Sequence, residues 1–222
     1  MKDGIVQRPS PNFGPRRSGA QPTLIVLHYT DMPTAEAALC RLCDPSSEVS
    51  AHYLVACDGV VTQLVAEEMR AWHAGVGAWA GQTDVNSRSI GIELDNAGNH
   101  PFAAAQMSAL EVLLARLMKR WNISARGVIG HSDMAPGRKW DPGPHFDWAR
   151  LARQGLAAPP EGAFTDHVAP ETFLDAARQA GYTAPASFET VLSATRLRFA
   201  PWRKGPLCAA DYRLGERADL GG

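Results

Sequence analysis

Side chains able to hold a metal ion, His131 and Asp141 among them, and one lysine lie within a single short stretch, Gly130 to Phe146, reading GHSDMAPGRKWDPGPHF. His131 and Asp141 are both possible zinc ligands, and Lys139 puts a positive charge just before the aspartate. A catalytic zinc takes three protein ligands and keeps a further position for water, so another part of the chain must supply the third. Pro136, Gly137, Pro142, Gly143 and Pro144 interrupt the backbone, which therefore cannot be a helix or a regular strand. The stretch reads as a long shaped loop following Gly127–Ile129, an apolar run that reads as a short buried strand. Functional groups on a loop anchored to a strand end are a common way to build a site.

The other chemically capable residues sit on elements elsewhere in the chain. Thr23–Tyr29 (TLIVLHY) is apolar and rich in branched residues, as a buried central strand is, and His28 stands at its C-terminal end. His28 is either the missing ligand, since strand ends in open sheets are where sites collect, or a histidine satisfied locally. Ser50–Leu64 reads as a hairpin about Asp58-Gly59. His52, which begins its first strand, either faces the site or hydrogen-bonds a neighbouring carbonyl. Ser89–Leu94 (SIGIEL) is another strand, and alternation puts Ile90, Ile92 and Leu94 on one face and Ser89, Gly91 and Glu93 on the other. A carboxylate inside so short an apolar strand is expensive to bury without a partner, which marks Glu93 as functional. Met69–Ala80 (MRAWHAGVGAWA) is too rich in glycine for a stable helix. Its Trp72, His73 and Trp79 either line a groove for a sugar or peptide or pin a loop to the core. His145 lies beyond the rigid Pro142-Gly143-Pro144 turn, which should carry it away from Asp141.

Helices complete the main body. Thr34–Cys43 reads as one, and Ala103–Trp121 as another, with an apolar stripe of Met107, Leu110, Leu114, Leu117 and Met118 and with Lys119 and Arg120 at its C-terminal end. Phe146–Arg153 reads as a short helix that closes the domain. The expected organisation is an extended surface arm over 1–22, a main domain over 23–155, a linker over 156–162 and a small helical domain over 163–222. That last region reads as Pro170–Ala180, ended by Gly181, then Ser187–Arg198 and a third helix over Ala209–Leu220. It is too small to bury much surface alone and should pack on the main domain.

Composition removes several function classes. Lys+Arg number 22 against 23 Asp+Glu, a formal net charge of -1, which gives no support for nucleic-acid binding or adhesion to an anionic membrane. No apolar run is long enough to span a bilayer. The N-terminal residues lack the hydrophobic core of a signal peptide, and the cysteines Cys40, Cys43, Cys57 and Cys208 are scattered in a way that suits a reducing compartment. A cytoplasmic location is expected, with a periplasmic or outer-membrane-associated one as the alternative. Cys40 and Cys43 form a C-x-x-C, either half a metal or redox site or two small residues on adjacent turns; no second such pair exists to favour the former. The HExxH and HxxEH arrangements of zinc peptidases are absent. A closed structural zinc site would want four protein ligands, usually with cysteine, and the cysteines are not placed among the histidines.

Several motifs coincide in order: His28 ending a first strand, then SAHYLV, AWHAG, SIGIEL, and GHSD followed by PGRKWDPGPHFDW. Together they resemble the zinc-dependent N-acetylmuramoyl-L-alanine amidases of type 2, the AmpD/AmiD branch, which are related in fold to phage amidase lysozymes and peptidoglycan recognition proteins. The resemblance runs from about residue 22 to 155. It implies an α/β fold, a mixed central β-sheet flanked by helices, with a small C-terminal helical domain. It implies His28, His131 and Asp141 as ligands of Zn2+, Glu93 as the catalytic acidic residue and Lys139 as the transition-state stabiliser. The implied reaction is hydrolysis of the amide between the lactyl group of N-acetylmuramic acid and the L-alanine of a stem peptide. Its partners would be muropeptides or peptidoglycan, with no nucleic acid and no membrane, and the chain a monomer. His52, Trp72, Asn86 and Arg88 are the candidate substrate contacts. Arg88 would either pair a peptide carboxylate bidentately or be a solvated surface arginine. The tail, with GYTAP and TRLRFAPW, is similar to a small peptidoglycan-binding-type domain. Tyr29 departs from the pattern, since some cytosolic members have asparagine after the first ligand histidine; this bears on muropeptide preference and not on the metal site. Recycling of anhydro-muropeptides is the expected role, with an exported amidase acting on intact wall, or a non-catalytic recognition protein of the same fold, as alternatives.

Overall fold

A computed structural model describes residues 4–162 and 165–215. Its strands are β1 (Val6–Gln7), β2 (Phe13–Pro15), β3 (Leu24–Tyr29), β4 (Tyr53–Val55), β5 (Val61–Gln63), β6 (Met69–Ala71), β7 (Ser89–Leu94) and β8 (Val128–Gly130). Its α-helices are α1 (Ala35–Cys43), α2 (Val85–Arg88), α3 (Ala104–Trp121), α4 (His131–Met134), α5 (Trp148–Arg153), α6 (Pro170–Ala180) and α7 (Phe188–Phe199). One sheet runs β1-β5-β4-β7-β3-β8, and β2 pairs with β6 in a separate ladder. β4, β7, β3 and β8 are parallel while β5 is antiparallel to β4, so the sheet is mixed, as expected.

Parallel pairing brings several chain segments to one edge. His28 of β3 lies directly across from Glu93 of β7, and Leu27 lies across from Gly130, the residue before His131. The carboxyl ends of three strands therefore meet, which is where open α/β sheets place ligands.

Alternation divides the sheet between two cores. Ile25, Leu27, Ile90, Ile92 and Leu94 face α3, whose Leu110, Leu113, Leu114 and Leu117 are all buried. Each of those leucines contributes on the order of 1.5–3 kcal/mol by leaving water. Leu24, Val26 and Ile129 enter the second core with Phe173 and Ala177 of α6 and Val191 and Leu192 of α7. His28 and Glu93 continue the period of this second face. The candidate site thus opens on the side of the sheet that the C-terminal helices cover.

Three readings need correction. The stretch after β8 begins with a full helical turn, α4, because its backbone breakers start only at Pro136. The N-terminal arm is extended but is more than a surface strap: β1 pairs with β5, and Ser10, Asn12 and Arg16 are buried. The third C-terminal helix is a single 3-10 turn, Ala209–Tyr212, in the described residues; 216–220 of the expected helix lie outside them. The short α2, with only four residues, carries no periodic signal.

Candidate metal centre

The stretch that follows β8 closes on itself. Ser132 donates its backbone N–H to the Asp141 carbonyl at 2.9 Å, so residues nine apart in sequence become neighbours. The chain passes so closely that a Cβ at Gly130 would lie 2.8 Å from Pro142 Cδ. Gly143, with φ +79°, takes a left-handed conformation that favours glycine.

The three proposed ligands meet. His28 Nδ1 lies 3.0 Å from His131 Nδ1 and 2.9 Å from Asp141 Oδ2, and His131 Nδ1 lies 3.0 Å from Asp141 Oδ2. All three side chains are buried. Two imidazole nitrogens and a carboxylate oxygen converging this closely make a donor set suited to a small divalent ion such as zinc.

The hydrogen bonds behind the rings fix which nitrogens carry protons. His131 Nε2 donates to the Ala74 carbonyl at 2.9 Å, leaving its Nδ1 lone pair free for the centre. For His28 the argument runs through three residues. Ser89 donates its hydroxyl to the Val85 carbonyl at 2.6 Å, so Ser89 Oγ accepts from His73 Nε2 at 3.1 Å. His73 Nδ1 is then an acceptor and takes the Nε2 proton of His28 at 3.0 Å. That leaves the His28 Nδ1 lone pair facing His131 and Asp141. Burial, and then the neighbouring His131, lower His28 to about 4, so its ring stays neutral, the form that binds a metal.

Glu93 lies across the sheet from His28, and its Oε2 is buried with no hydrogen-bond partner among the described residues. Burial first, then the Asp141 charge, push its carboxyl well above the usual range, with Lys139 opposing. A carboxyl held toward its neutral form by its surroundings suits acid–base work. Together with the ligands, Tyr29, Trp72, His73, Lys139 and Trp140 line one open cavity of about 400 Å³.

Three expected substrate contacts do not line the cavity. His52 is fully buried; its Nδ1 accepts the Gly91 N–H at 2.9 Å and its Nε2 donates to the Met69 carbonyl at 3.1 Å. Asn86 is buried in α2, and its side-chain oxygen accepts the backbone N–H of His73 and of Ala74, at 3.0 and 2.8 Å. It shapes the loop behind the cavity. Arg88 precedes β7, at the end opposite Glu93, so five residues of extended strand, about 16 Å, separate the two. Trp72 alone of the four lines the cavity, while His145 is exposed and apart from it.

Sequence reasoning did not mark Ser89 or Arg138, and it left His73 between groove lining and loop anchor. Arg138 lines the cavity and donates to the Ala74 carbonyl at 2.6 Å. One signal was available for His73. A Cβ on Gly91 would lie 2.4–2.6 Å from its ring, and a glycine inside a strand marks a close approach.

Comparison with known proteins identifies a family for the chain. The family model Amidase_2, N-acetylmuramoyl-L-alanine amidase, matches residues 18–144. N-acetylmuramoyl-L-alanine amidase AmiD of Escherichia coli (strain K12) is 40% identical over 178 residues, 71% of this chain; the chain spans 63% of that relative's length. 1,6-Anhydro-N-acetylmuramyl-L-alanine amidase AmpD of Enterobacter cloacae is 38% identical over 160 residues, 64% of this chain and 86% of that protein. The solved complex of AmiD from E. coli with the substrate anhydro-N-acetylmuramic acid-L-Ala-D-gamma-Glu-L-Lys superposes with a TM-score of 0.78 at 32% identity, covering 93% of this chain and 90% of that one.

Proposed function

Because this chain belongs to the N-acetylmuramoyl-L-alanine amidase family, we propose that it hydrolyses the amide joining N-acetylmuramic acid, in its 1,6-anhydro form, to the L-alanine of a peptidoglycan stem peptide. The observation that carries the reading is the convergence of His28, His131 and Asp141 beside an unpartnered Glu93 carboxyl.

We assign zinc to His28, His131 and Asp141, where it would supply Lewis acidity to the substrate carbonyl and to a water. Glu93 Oε2 accepts one proton of the attacking water and returns it to the amide nitrogen as the C–N bond breaks; the water's other proton passes from the new lactyl carboxyl to the amine, leaving a carboxylate and an ammonium group. Lys139 faces the carbonyl oxygen as it gains negative charge, a contact stronger in the transition state than in the ground state. Trp72 and Trp140 offer flat apolar walls to the sugar or the peptide stem. Tyr29 and Arg138 add a hydroxyl and a cation to the rim.

Recycling of soluble fragments in the cytoplasm is the reading we favour, supported by thiols that are free and, at Cys40, Cys57 and Cys208, exposed. The test is incubation with a soluble anhydro-muropeptide and with intact sacculi, with and without a chelator, scored by mass spectrometry. Free stem peptide should appear from the soluble substrate, vanish with chelator and return with zinc. Faster release from sacculi would instead favour an enzyme of intact wall, and no release from either would sink the activity.

A further inference from the structure

Helix α4 carries His131 but has only four residues, too few to hold itself in place. Its position is imposed from outside. Asp133 is fully buried: its Oδ2 accepts the Gly130 N–H at 2.8 Å and Arg198 Nη1 at 2.9 Å, and its Oδ1 accepts the Tyr182 hydroxyl at 2.7 Å. Arg198 belongs to α7, and Tyr182 follows α6. The other Arg198 amine donates to the Val128 carbonyl at 2.9 Å, and its guanidinium lies 4.2 Å over the Trp148 ring. One buried cation thus grips β8 before His131 and α4 after it.

The same turn reaches the second loop ligand, since Ser132 is the residue bonded to the Asp141 carbonyl. The C-terminal segment also braces the loop behind His131. Tyr182 packs edge-on against Trp79 at 5.0 Å, and Ala80 donates its N–H to the Gly181 carbonyl at 2.8 Å. Ala74, on that loop, supplies the carbonyl that fixes the His131 tautomer.

We propose that Arg198 and Tyr182, from the C-terminal helices, are positioning residues of the metal centre: acting through Asp133, they hold the β8–α4 junction so that His131 and Asp141 stay within reach of His28. This rests on the metal reading above. Donors held together before the ion arrives need not be gathered when it binds, and preorganisation of this kind tightens affinity without adding a contact. The simpler alternative is that the buried ion pair only fastens the helices to the sheet. The two differ in one quantity, the metal affinity of a correctly folded variant.

Three variants of the full chain separate them. Tyr182→Phe deletes a single hydroxyl and keeps the ring. Arg198→Lys keeps the charge but cannot serve Asp133 and Val128 together. The pair Arg198→Met with Asp133→Asn removes both charges and leaves no orphaned carboxylate in the core. Each is stripped of metal, checked for folding by circular dichroism and thermal melting, and titrated with zinc against a chromophoric chelator; cobalt(II) absorption reports ligand geometry.

Folded variants should bind zinc more weakly, on the order of tenfold for Arg198→Lys, with altered cobalt spectra and a smaller shift for Tyr182→Phe. Folded variants with wild-type zinc affinity and wild-type cobalt spectra would overturn the proposal. If Arg198→Lys does not fold, Tyr182→Phe and the charge-free pair decide by the same readouts. Wild-type protein that binds no zinc overturns the metal assignment and this inference together, whereas wild-type binding with unchanged variants overturns this inference alone.

Discussion

Two clusters built from the same residue types lie on either side of His73. On one side are His28, His131, Asp141, Glu93 and Lys139; on the other are His52, Glu67 and Arg16. In the second, each group is satisfied. Arg16 donates to the carbonyls of Glu67, Ser87 and Ser89, His52 uses both ring nitrogens, and the Glu67 carboxylate accepts from Tyr53 and Trp121 with Arg120 alongside. In the first, Glu93 Oε2 has no partner, and three lone-pair donors crowd one point. Histidine, carboxylate and a basic residue therefore do not make a site by composition. What separates the two is whether the fold leaves acceptors unspent, a cost that persists only where something else uses it.

The largest effect that sharpens this contrast is at Glu93. Glu93→Gln should lower turnover by about 10²–10⁴, the usual worth of a positioned acid–base group. Bound zinc should be retained, and the metal-free protein should be at least as stable as wild type, because a desolvated carboxyl is removed. Turnover and metal content measured on one preparation settle it; full activity would take Glu93 out of the chemistry. Next is Lys139→Met, expected to reduce kcat by about 10²–10³ with little change in KM, as for loss of an oxyanion contact. A rise in KM with kcat intact would make Lys139 a ground-state binding residue.

The opposite pattern is expected of the satisfied cluster. Glu67→Gln replaces an acceptor of several donors with an amide, and should cost about 1–3 kcal/mol of folding stability. Turnover per folded molecule should not change. Denaturant titration and kinetics read the two separately, and a drop in kcat without a drop in stability would erase the distinction between the clusters.

Much of the productive cluster was legible beforehand. The apolar run before His28 and the SIGIEL alternation fixed two strands, and parallel pairing then set Glu93 opposite His28. The α3 stripe was equally clear, although Leu113 is also buried and Met118 only partly so. His52 shows why the rest was not. By pattern it is a histidine at one end of an apolar strand, as His28 is at the other end of another; its orientation depends on Gly91 and Met69, and its setting on Arg16, which arrives from an arm that reads as lying extended on the surface. Asn86 and Arg88 lie outside the cavity lining for a related reason. Proximity in sequence to β7 says nothing about which end of the strand faces the cavity. The Asp133–Arg198 pair spans 65 residues and has no local signature at all.

The smallest effect is the one that isolates His52 as a structural group. Burial, opposed in part by the Met69 carbonyl and reinforced by Arg16, lowers it from 6.5 to about 3. In the unfolded chain His52 binds its proton near 6.5; in the folded protein it does so only near 3. Between those values the unfolded state holds more protons, so stability is intact above the unfolded pKa and is lost as pH falls through the window, at most about 1.4 kcal/mol per pH unit. His52→Gln keeps an acceptor near the Gly91 N–H and cannot titrate. Stability curves of the two proteins should therefore converge as the pH falls from 6.5, the variant starting lower or equal and losing less. Because His28 is depressed in the same direction and is present in both, only the difference between the curves belongs to His52. Parallel curves across that range would mean that His52 is charged or solvated in the fold, and would return it to the list of groups that could face a ligand.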